Sequence, residues 1–326
     1  MGLLSFIFIA NFFCFFIWCA MSNLRIKLDK KFLENPFIAP SGVFGLGYDV
    51  SFDYEIKKLG AFTMKTATTK KRDGNVPPRT VETPAGMLNS IGLQNPGIDE
   101  YLKLFPTIKK FFSKCPLIFS ISGETVDDFE YLAKRVTEIE SDLIALELNL
   151  SCPNLRSGGV TFSSSVKDSI EVCKKVRKVW GKSLIAKLSP LSDFKEMGIS
   201  LESEGVNIFC AINTLPGMRF DIYKRKPSLG NFHGGLSGPA LLPVSLKCVW
   251  DLRKVTKLPI IGVGGVYSAE SAIEMFMAGA NYVGIGSAYY NNPDLLDEVI
   301  GGVKKFLIEN DLKGIDEIVS LAHKDA

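Results

Sequence analysis

Glu147-Leu-Asn-Leu-Ser-Cys-Pro-Asn-Leu-Arg-Ser-Gly-Gly159 continues an apolar run that starts at Leu143, and it leads that run directly into a polar loop. Asparagine is a poor strand former and proline fixes the backbone, so we expect a strand that ends near Asn149 and a cysteine, Cys152, on the loop that follows. A cysteine here can be a nucleophile, a base or a small buried apolar residue. The polar neighbours favour a loop that positions chemistry.

The same order, an apolar strand followed by a polar segment, recurs along the chain. The pattern predicts eight strands, at residues 37–39, 61–66, 117–121, 144–150, 183–188, 207–212, 259–263 and 281–285. Apolar residues three or four positions apart predict helices between them, among them 126–139, 166–180, 243–255 and 269–278. This alternation predicts an α/β fold, a (β/α)8 TIM barrel with loop insertions at its C-terminal face; a doubly wound open sheet is the alternative.

Composition limits the classes of function. With 326 residues, of which 46% are hydrophobic, the chain can bury a large core, and we expect one barrel domain over residues 22–326. A net charge of +3 with scattered lysines does not favour nucleic acid as a partner and leaves phosphate or carboxylate ligands open. The seven cysteines show neither a C-x-x-C pair nor metal-ligand spacing. This predicts free thiols in a reducing, cytoplasmic compartment, without a metal site or an iron–sulfur cluster on this chain.

The N-terminal residues form a separate apolar segment. Residues 3–21 carry no charge and are long enough to span a bilayer, with Arg25 and Lys27 on the side that would stay cytoplasmic. A secretory signal is less well supported, because no basic residue precedes the run and a small-x-small cleavage pattern is missing. Residues 1–21 are therefore either a membrane anchor or lie upstream of the true start. We favour a start at Met21, because the sequence from Ser22 onward has the pattern of a complete soluble domain.

Polar residues and glycines recur where the predicted strands end. In a TIM barrel the loops after the strands build the active face. A single polar residue after a strand is most often an ordinary solvated loop residue. Six strand ends of one barrel that all carry such residues predict a single site, formed by Lys65-Thr66, Asn149, Lys187, Asn213-Thr214, Gly264-Gly265 and Gly286-Ser287.

The glycine pairs after the seventh and eighth strands suit an anion. Glycines at Gly264-Gly265 let backbone N–H groups close around a phosphate, and we expect the helix that begins near Ser268 to add its positive end. Glycines that merely permit tight turns are the alternative. No G-x-G-x-x-G follows a strand, so a mononucleotide fits better than a dinucleotide.

Two insertions follow predicted strands. Residues 79–97 form a long loop with an apolar centre, in which Asn89 offers an amide and Gly92 permits close approach of a planar ring. Residues 216–239 form the second insertion. It holds one histidine, His233, which we expect to bond locally and not to bind a metal.

These motifs together carry a resemblance to a known family. Asn149-Leu-Ser-Cys-Pro-Asn154 with Gly158-Gly159 and Phe162 resembles the active-site loop of class 1 dihydroorotate dehydrogenases, and the glycine pair resembles the class 1B branch. Further similar stretches extend over residues 37–290: Pro40-Ser-Gly42, Lys65 with Gly74-Asn75, Glu82 through Gly97, Asn213-Thr214 with Gly217-Met218, and Gly234 through Ala240.

The resemblance implies oxidation of dihydroorotate to orotate in de novo pyrimidine (UMP) biosynthesis, with FMN as cofactor and Cys152 as base. It implies FMN contacts at Ser41, Lys65, Thr66, Ser120, Asn149, Lys187, Ile212, Gly238, Gly264, Gly265, Gly286 and Ser287. It implies substrate contacts at Lys65, Asn89, Ser90, Ile91, Gly92, Leu93, Asn149, Asn213 and Thr214.

The chain departs from the family at three positions. Ser120 stands where the family often has asparagine, which shortens the reach toward the flavin; Ser287 replaces a usual threonine; and Ser163 stands where a glycine is common. The residues before Met21 have no counterpart in the family.

The implied chemistry follows from residue types. Cys152 would remove the proton alpha to a carbonyl while the hydride leaves the neighbouring carbon for flavin N5, and a thiol pKa of ~8.5 predicts turnover that rises toward alkaline pH. Lys65 and Lys187 would place positive charge near the flavin N1/O2 edge.

The implied electron path leaves this chain. By resemblance we expect a partner subunit that carries FAD and [2Fe–2S] and passes electrons to NAD, in a heterotetramer built on a homodimer of the barrel subunit. The alternatives are a fumarate-linked class 1A enzyme, another dihydropyrimidine oxidoreductase, and a non-catalytic flavin-binding scaffold.

Overall fold

The structure is a computed structural model, and it describes residues 24–48, 53–151, 153–154, 160–162 and 165–324. The predictions made for residues 1–21, Cys152, Gly158-Gly159 and Ser163 lie outside the described residues.

Eight parallel strands close into a barrel, as predicted. Each strand pairs with the next along the chain, and the eighth returns to pair with the first. The strands are β1 (Phe37–Ala39), β2 (Ala61–Thr63), β3 (Leu117–Ile121), β4 (Leu143–Asn149), β5 (Ser183–Leu188), β6 (Ile208–Ala211), β7 (Ile260–Val263) and β8 (Tyr282–Gly284). The open doubly wound sheet is thereby excluded.

One helix follows each barrel strand in the described part of the chain. The helices are α1 (Asp53–Lys58), α2 (Ile98–Phe111), α3 (Val126–Val136), α4 (Val166–Arg177), α5 (Phe194–Ser203), α6 (Leu242–Arg253), α7 (Ala269–Met277) and α8 (Leu295–Glu309). The four predicted helices are confirmed within a few residues at their ends. None of these helices, nor any other within the described ranges, has the length and apolar character needed to cross a bilayer.

Helix starts are set by short polar side chains. Thr125 caps α3: its side chain accepts a hydrogen bond from the backbone N–H of Asp128, and its own backbone N–H donates to the Asp128 carboxylate. Such a capping box satisfies backbone donors that the first helical turn leaves without partners. α3 ends at Val136 because the chain tightens there into a 3-10 helix, Thr137–Asp142.

The core has an outer and an inner layer. All seven residues of β4 are buried, because a parallel barrel strand is covered by helices outside and by other strands' side chains inside. The inner layer contains Ile118, Ile185 and Ile261. An N-terminal hairpin, Ile26–Leu28 with Lys31–Leu33, packs into the same layer and closes the end of the barrel opposite the strands' C-terminal ends.

The two insertions build a second sheet. Residues 79–97, predicted as a loop, instead form a hairpin of Thr80–Thr83 and Gly86–Asn89. Gly234–Ser237 and Leu215–Gly217 from the second insertion extend it to four antiparallel strands. The prediction of a loop was wrong because the backbone groups of Gly86–Asn89 find partners on both sides, in the neighbouring strand Thr80–Thr83 and in Gly234–Ser237 far along the chain.

Short strand pairs complete the description. Phe220–Asp221 pairs with Lys226–Pro227, and Pro153–Asn154 pairs with Val160–Thr161.

Candidate active site

A cavity of about 270 Å³ opens at the C-terminal ends of the barrel strands, beneath the second sheet. Its wall brings together most of the residues predicted from the sequence: Ser41, Lys65, Thr66, Asn89, Ile91, Gly92, Leu93, Asn149, Lys187, Ile212, Asn213, Thr214, Gly238, Gly264, Gly265, Gly286 and Ser287. Two predicted residues, Ser90 and Ser120, lie behind the wall and do not line the cavity. Cys152 lies outside the described residues.

Two lysines give the cavity its positive charge. Burial lowers the pKa of Lys65, and repulsion from Lys187 lowers it further. Burial has the largest single effect on Lys187 and lowers its pKa, but the negative charges of Glu147 and, to a smaller extent, Cys210 together outweigh burial, so the pKa of Lys187 is raised. Lys187 is therefore the fixed positive charge of the cavity, and Lys65 is the lysine that gives up its proton more easily.

A chain of hydroxyl groups runs from the cavity into the barrel. Ser41 Oγ lies 2.9 Å from Thr66 Oγ1, and Thr66 Oγ1 lies 2.9 Å from Ser120 Oγ. Ser120 Oγ in turn donates a hydrogen bond of 2.8 Å to Glu147 Oε1. Ser120 is fully buried, so its hydroxyl reaches the cavity only through Thr66 and Ser41. Its role as a direct cofactor contact stays a prediction.

Side-chain amides line the opposite part of the wall. Asn213 Nδ2 donates to Asn149 Oδ1 at 3.3 Å, and the backbone N–H of Thr214 donates to Asn213 Oδ1 at 2.8 Å. From the second sheet, Asn89 Nδ2 donates to the carbonyl of Gly235 at 3.2 Å. These bonds fix the orientation of three amides, which can offer donors and acceptors to the polar edge of a planar ligand.

The segment from Asn89 to Leu93 is held from behind. Asn75 Nδ2 donates to Ser90 Oγ at 2.9 Å, which explains why the Ser90 hydroxyl does not line the cavity. Gly92 has a φ of +73°, and a Cβ there would lie 2.6 Å from Asn75 Oδ1. Only glycine fits this conformation so close to Asn75, so the local backbone is fixed by both residues.

Glycines form a second end of the cavity after β7 and β8. Gly265 has a φ of +81°, and a Cβ there would collide with the backbone of Leu242 at the start of α6. Ser245 of α6 holds the same turn by donating to the carbonyl of Gly264 at 2.6 Å. This packing brings bare backbone to the cavity wall, the arrangement that suits an anion.

The helix predicted to begin near Ser268 is α7. The N-cap of α7 is Ser268, whose side chain accepts from the backbone N–H of Ser271, and Ser268 does not line the cavity. The start of this helix near Ser268 is confirmed, and its contribution to binding an anion stays a prediction.

Sequence reasoning missed several wall residues. Thr80, Met87 and Ser237 come from the second sheet, which joins two insertions that lie far apart in the sequence. Tyr290 follows β8 and donates to the carbonyl of Val43 at 2.7 Å, which places its ring at the rim. Within the described ranges there is no cluster of three or more His, Cys, Asp or Glu residues that could hold a metal ion.

Comparison with known proteins matches this arrangement to a family. Residues 23–307, most of the chain, match the family model for dihydroorotate dehydrogenase. The chain belongs to the dihydroorotate dehydrogenase family. The match includes every barrel strand and the cavity-lining residues, so the resemblance inferred from the motifs is confirmed.

Relatives of this dihydroorotate dehydrogenase family member match over nearly their whole length. The catalytic subunit of dihydroorotate dehydrogenase B (NAD(+)) from Desulforamulus reducens is 43% identical over 92% of this chain and 99% of its own. The subunit of the same name from Carboxydothermus hydrogenoformans is 40% identical over 93% and 98% of the two chains. That from Bacteroides thetaiotaomicron is 36% identical over 92% and 98%.

Proposed function

We propose that this chain oxidises dihydroorotate to orotate in pyrimidine biosynthesis and that its electrons reach NAD. The observation that carries the proposal is the 43% identity, over 99% of its length, to a protein named as the catalytic subunit of an NAD(+)-linked dihydroorotate dehydrogenase. The fumarate-linked and scaffold alternatives gain no support from any feature of the cavity.

The wall of the cavity fits FMN. Gly264, Gly265, Gly286 and Ser287 would hold the phosphate, because bare backbone at the cavity wall suits an anion. Ser41, Thr66, Lys65, Asn149, Lys187, Ile212 and Gly238 would hold the ring system. Bound FMN would supply the hydride acceptor.

The charge of the cavity suits the reaction. Lys187, whose pKa is raised, provides a positive charge that stays in place when negative charge grows on the ligand. Because this charge is already oriented by the barrel, little reorganisation is needed at the moment of reaction.

The substrate would lie beneath the second sheet. Dihydroorotate has a carboxylate and amide edges, which match Lys65 and the amides of Asn89, Asn149 and Asn213. The thiolate of Cys152 would take the proton from the carbon alpha to the ring carbonyl, and the hydride would leave the neighbouring carbon. We assign this role to Cys152 from the sequence motif alone.

We propose that electrons leave through a separate subunit. This chain has no dinucleotide fingerprint and no cysteine cluster in its sequence, so FAD, [2Fe–2S] and the NAD site would be carried by the partner, in a heterotetramer built on a homodimer of this chain. We also place the barrel domain, residues 22–326, in the cytoplasm, because Cys115, Cys173, Cys210 and Cys248 are free thiols.

The test is an acceptor assay on the purified chain, alone and co-expressed with an electron-transfer subunit of the same genome. The chain alone is expected to hold FMN and to reduce artificial dyes with dihydroorotate, and the complex is expected to reduce NAD as well. Efficient reduction of fumarate, or of NAD by the isolated chain, would contradict the NAD-linked two-subunit assignment. A chain that binds FMN but oxidises no dihydroorotate would contradict the enzymatic one.

A further inference from the structure

A buried carboxylate in the barrel has no role in the function proposed above. Glu147 points into the barrel from β4, is 2% exposed, and lies one layer below Asn149 of the cavity wall. A charged carboxylate in such a place is unfavourable unless it is hydrogen-bonded and its charge is offset. The neighbours of Glu147 supply both.

A chain of hydroxyl groups reaches Glu147 from the β3 side. Ser120, its direct partner on β3, donates to Oε1 at 2.8 Å. Because a hydroxyl has one proton, Ser120 must then accept from Thr66, and Thr66 from Ser41. All three hydroxyls therefore donate toward Glu147, which is the direction expected for an ionised carboxylate at the end of the chain.

The offsetting charge comes from the other side. Lys187 of β5 pairs with Asn149 of β4, two residues beyond Glu147, and both charged side chains lie in the barrel interior. Burial has the largest single effect and would lower the pKa of Lys187, yet the pKa is raised, and Glu147 is the larger of the two charges that raise it, ahead of Cys210.

Two other titratable groups face Lys187 in the described part of the chain. Burial raises the pKa of Cys210, on β6, to about 12, and its thiol also interacts with the carboxylate of Glu147 and with Lys187. Lys65, after β2, repels Lys187 across the cavity. Without Glu147, burial and Lys65 would both act against a charged Lys187.

We propose that Glu147 is a positioning residue of this site: its carboxylate, held by Ser120, is the counter-charge that keeps the ammonium group of Lys187 charged at the cavity wall. The inference rests on the proposed function at one point, the assignment of Lys187 to FMN. It adds a residue that touches neither cofactor nor substrate and acts through Lys187.

The first test is the pH dependence of stability, measured by urea unfolding of the full chain without added ligand. In Glu147→Gln, the folded chain holds Lys187 with a lowered pKa, so it binds fewer protons than the unfolded chain. The free energy of unfolding of Glu147→Gln then rises with pH. Its deficit, the difference from the free energy of unfolding of the parent chain, is expected to be largest at neutral pH and to shrink toward alkaline pH. Adding Lys187→Met to Glu147→Gln is expected to remove this trend.

The matched control is Glu202→Gln. Glu202 accepts a hydrogen bond of 2.5 Å from Thr256 Oγ1 and does not line the cavity. Its deficit is expected to stay constant over the same pH range. A purely structural role for Glu147, as acceptor of the Ser120 hydroxyl, would give the same constant deficit in Glu147→Gln, and that result would overturn the proposal.

Lys187→Met is the reciprocal variant and serves if Glu147→Gln does not fold. It leaves the buried carboxylate of Glu147 without its counter-charge, and a buried charge without a partner is unfavourable. The deficit is then expected to shrink as pH falls, opposite to Glu147→Gln. A pH-independent deficit in Lys187→Met would also overturn the proposal.

The second test is FMN affinity as a function of pH. Glu147→Gln is expected to bind FMN more weakly as the pH rises, whereas the parent chain keeps its affinity over the same range. If the parent chain binds no FMN at any pH, the proposed function fails, while the stability measurements still decide the role of Glu147. Equal pH profiles in the two proteins would speak against the counter-charge.

Discussion

Tyr101 Oη donates a hydrogen bond of 2.6 Å to the backbone carbonyl of Lys65. Tyr101 is fully buried in α2, and α2 begins directly after the insertion that supplies Asn89 to Leu93. Tyr101 thus holds the backbone of Lys65, and α2, which carries Tyr101, follows the insertion that lines the same cavity. The position of Lys65 is therefore expected to depend on a residue that does not line the cavity.

Tyr101→Phe tests this dependence. The ring stays and the hydroxyl is lost, so a buried carbonyl loses its donor and the chain is expected to be destabilised by about 1–3 kcal/mol. Ligand affinity is expected to fall as well, because the backbone of Lys65 is no longer fixed. The control is Tyr131→Phe, which changes an exposed ring on α3 and is expected to alter stability by less than about 0.5 kcal/mol. Equal urea midpoints for the two variants would contradict the prediction.

The barrel was predictable because its signal is local. A parallel strand buried on both faces is a short continuous apolar run, as in Leu117–Ile121, and such runs are visible residue by residue. The strand ends then placed Lys65, Asn149 and Lys187 on one rim, because all strands of a parallel barrel end at the same face.

The second sheet was not predictable because part of its pairing joins segments that lie far apart in the sequence. Its strand Gly234–Ser237 begins with two glycines, which have low strand propensity, and it pairs with Gly86–Asn89 far away in sequence. Glu147 also gave no signal, since a glutamate within an apolar run shows neither its burial nor its neighbours.

Gly265→Ala tests the phosphate end of the cavity. Gly265 has a φ of +81° and packs against the backbone of Leu242, so a methyl group is expected to strain the turn and to destabilise the chain by about 1–3 kcal/mol. FMN retention is expected to fall, because the turn that faces the phosphate must shift.

Gly301→Ala is the matched control for that variant. A Cβ at Gly301, in the middle of α8, meets no atom within 4 Å, so the substitution is expected to stabilise the chain by about 0.5–1 kcal/mol. FMN retention is expected to stay unchanged. Unaltered FMN retention in Gly265→Ala as well would remove these glycines from the site.

Cys152→Ser tests the assigned base. A serine hydroxyl is a far weaker acid than a thiol, so turnover with dihydroorotate at neutral pH is expected to fall by about 10²–10⁴-fold with the bound flavin retained. Turnover of the parent chain is expected to rise with pH toward the thiol pKa of ~8.5.

The control for the base is Cys115→Ser. Burial raises the pKa of Cys115 to about 12, and its thiol donates to the carbonyl of Leu59 away from the cavity. Turnover per bound flavin is expected to match that of the parent chain. Near-normal turnover in Cys152→Ser would show that another group takes the proton.

Lys65→Met separates the contribution of this lysine to binding from its contribution to folding. The pKa of Lys65 is lowered in the folded chain, first by burial and then by Lys187, so the folded chain binds fewer protons than the unfolded chain between that lowered pKa and the ordinary lysine value. Over this range stability rises with pH, which means that Lys65 lowers stability most at neutral pH.

Lys65→Met is therefore expected to raise the urea midpoint of the ligand-free chain at neutral pH, with a gain that shrinks toward alkaline pH. The same substitution is expected to weaken the binding of both FMN and orotate. Lys195→Met, on the exposed face of α5, is expected to leave all three measurements unchanged. A Lys65→Met chain that is less stable at neutral pH, or that binds both ligands normally, would show that Lys65 is an ordinary rim lysine.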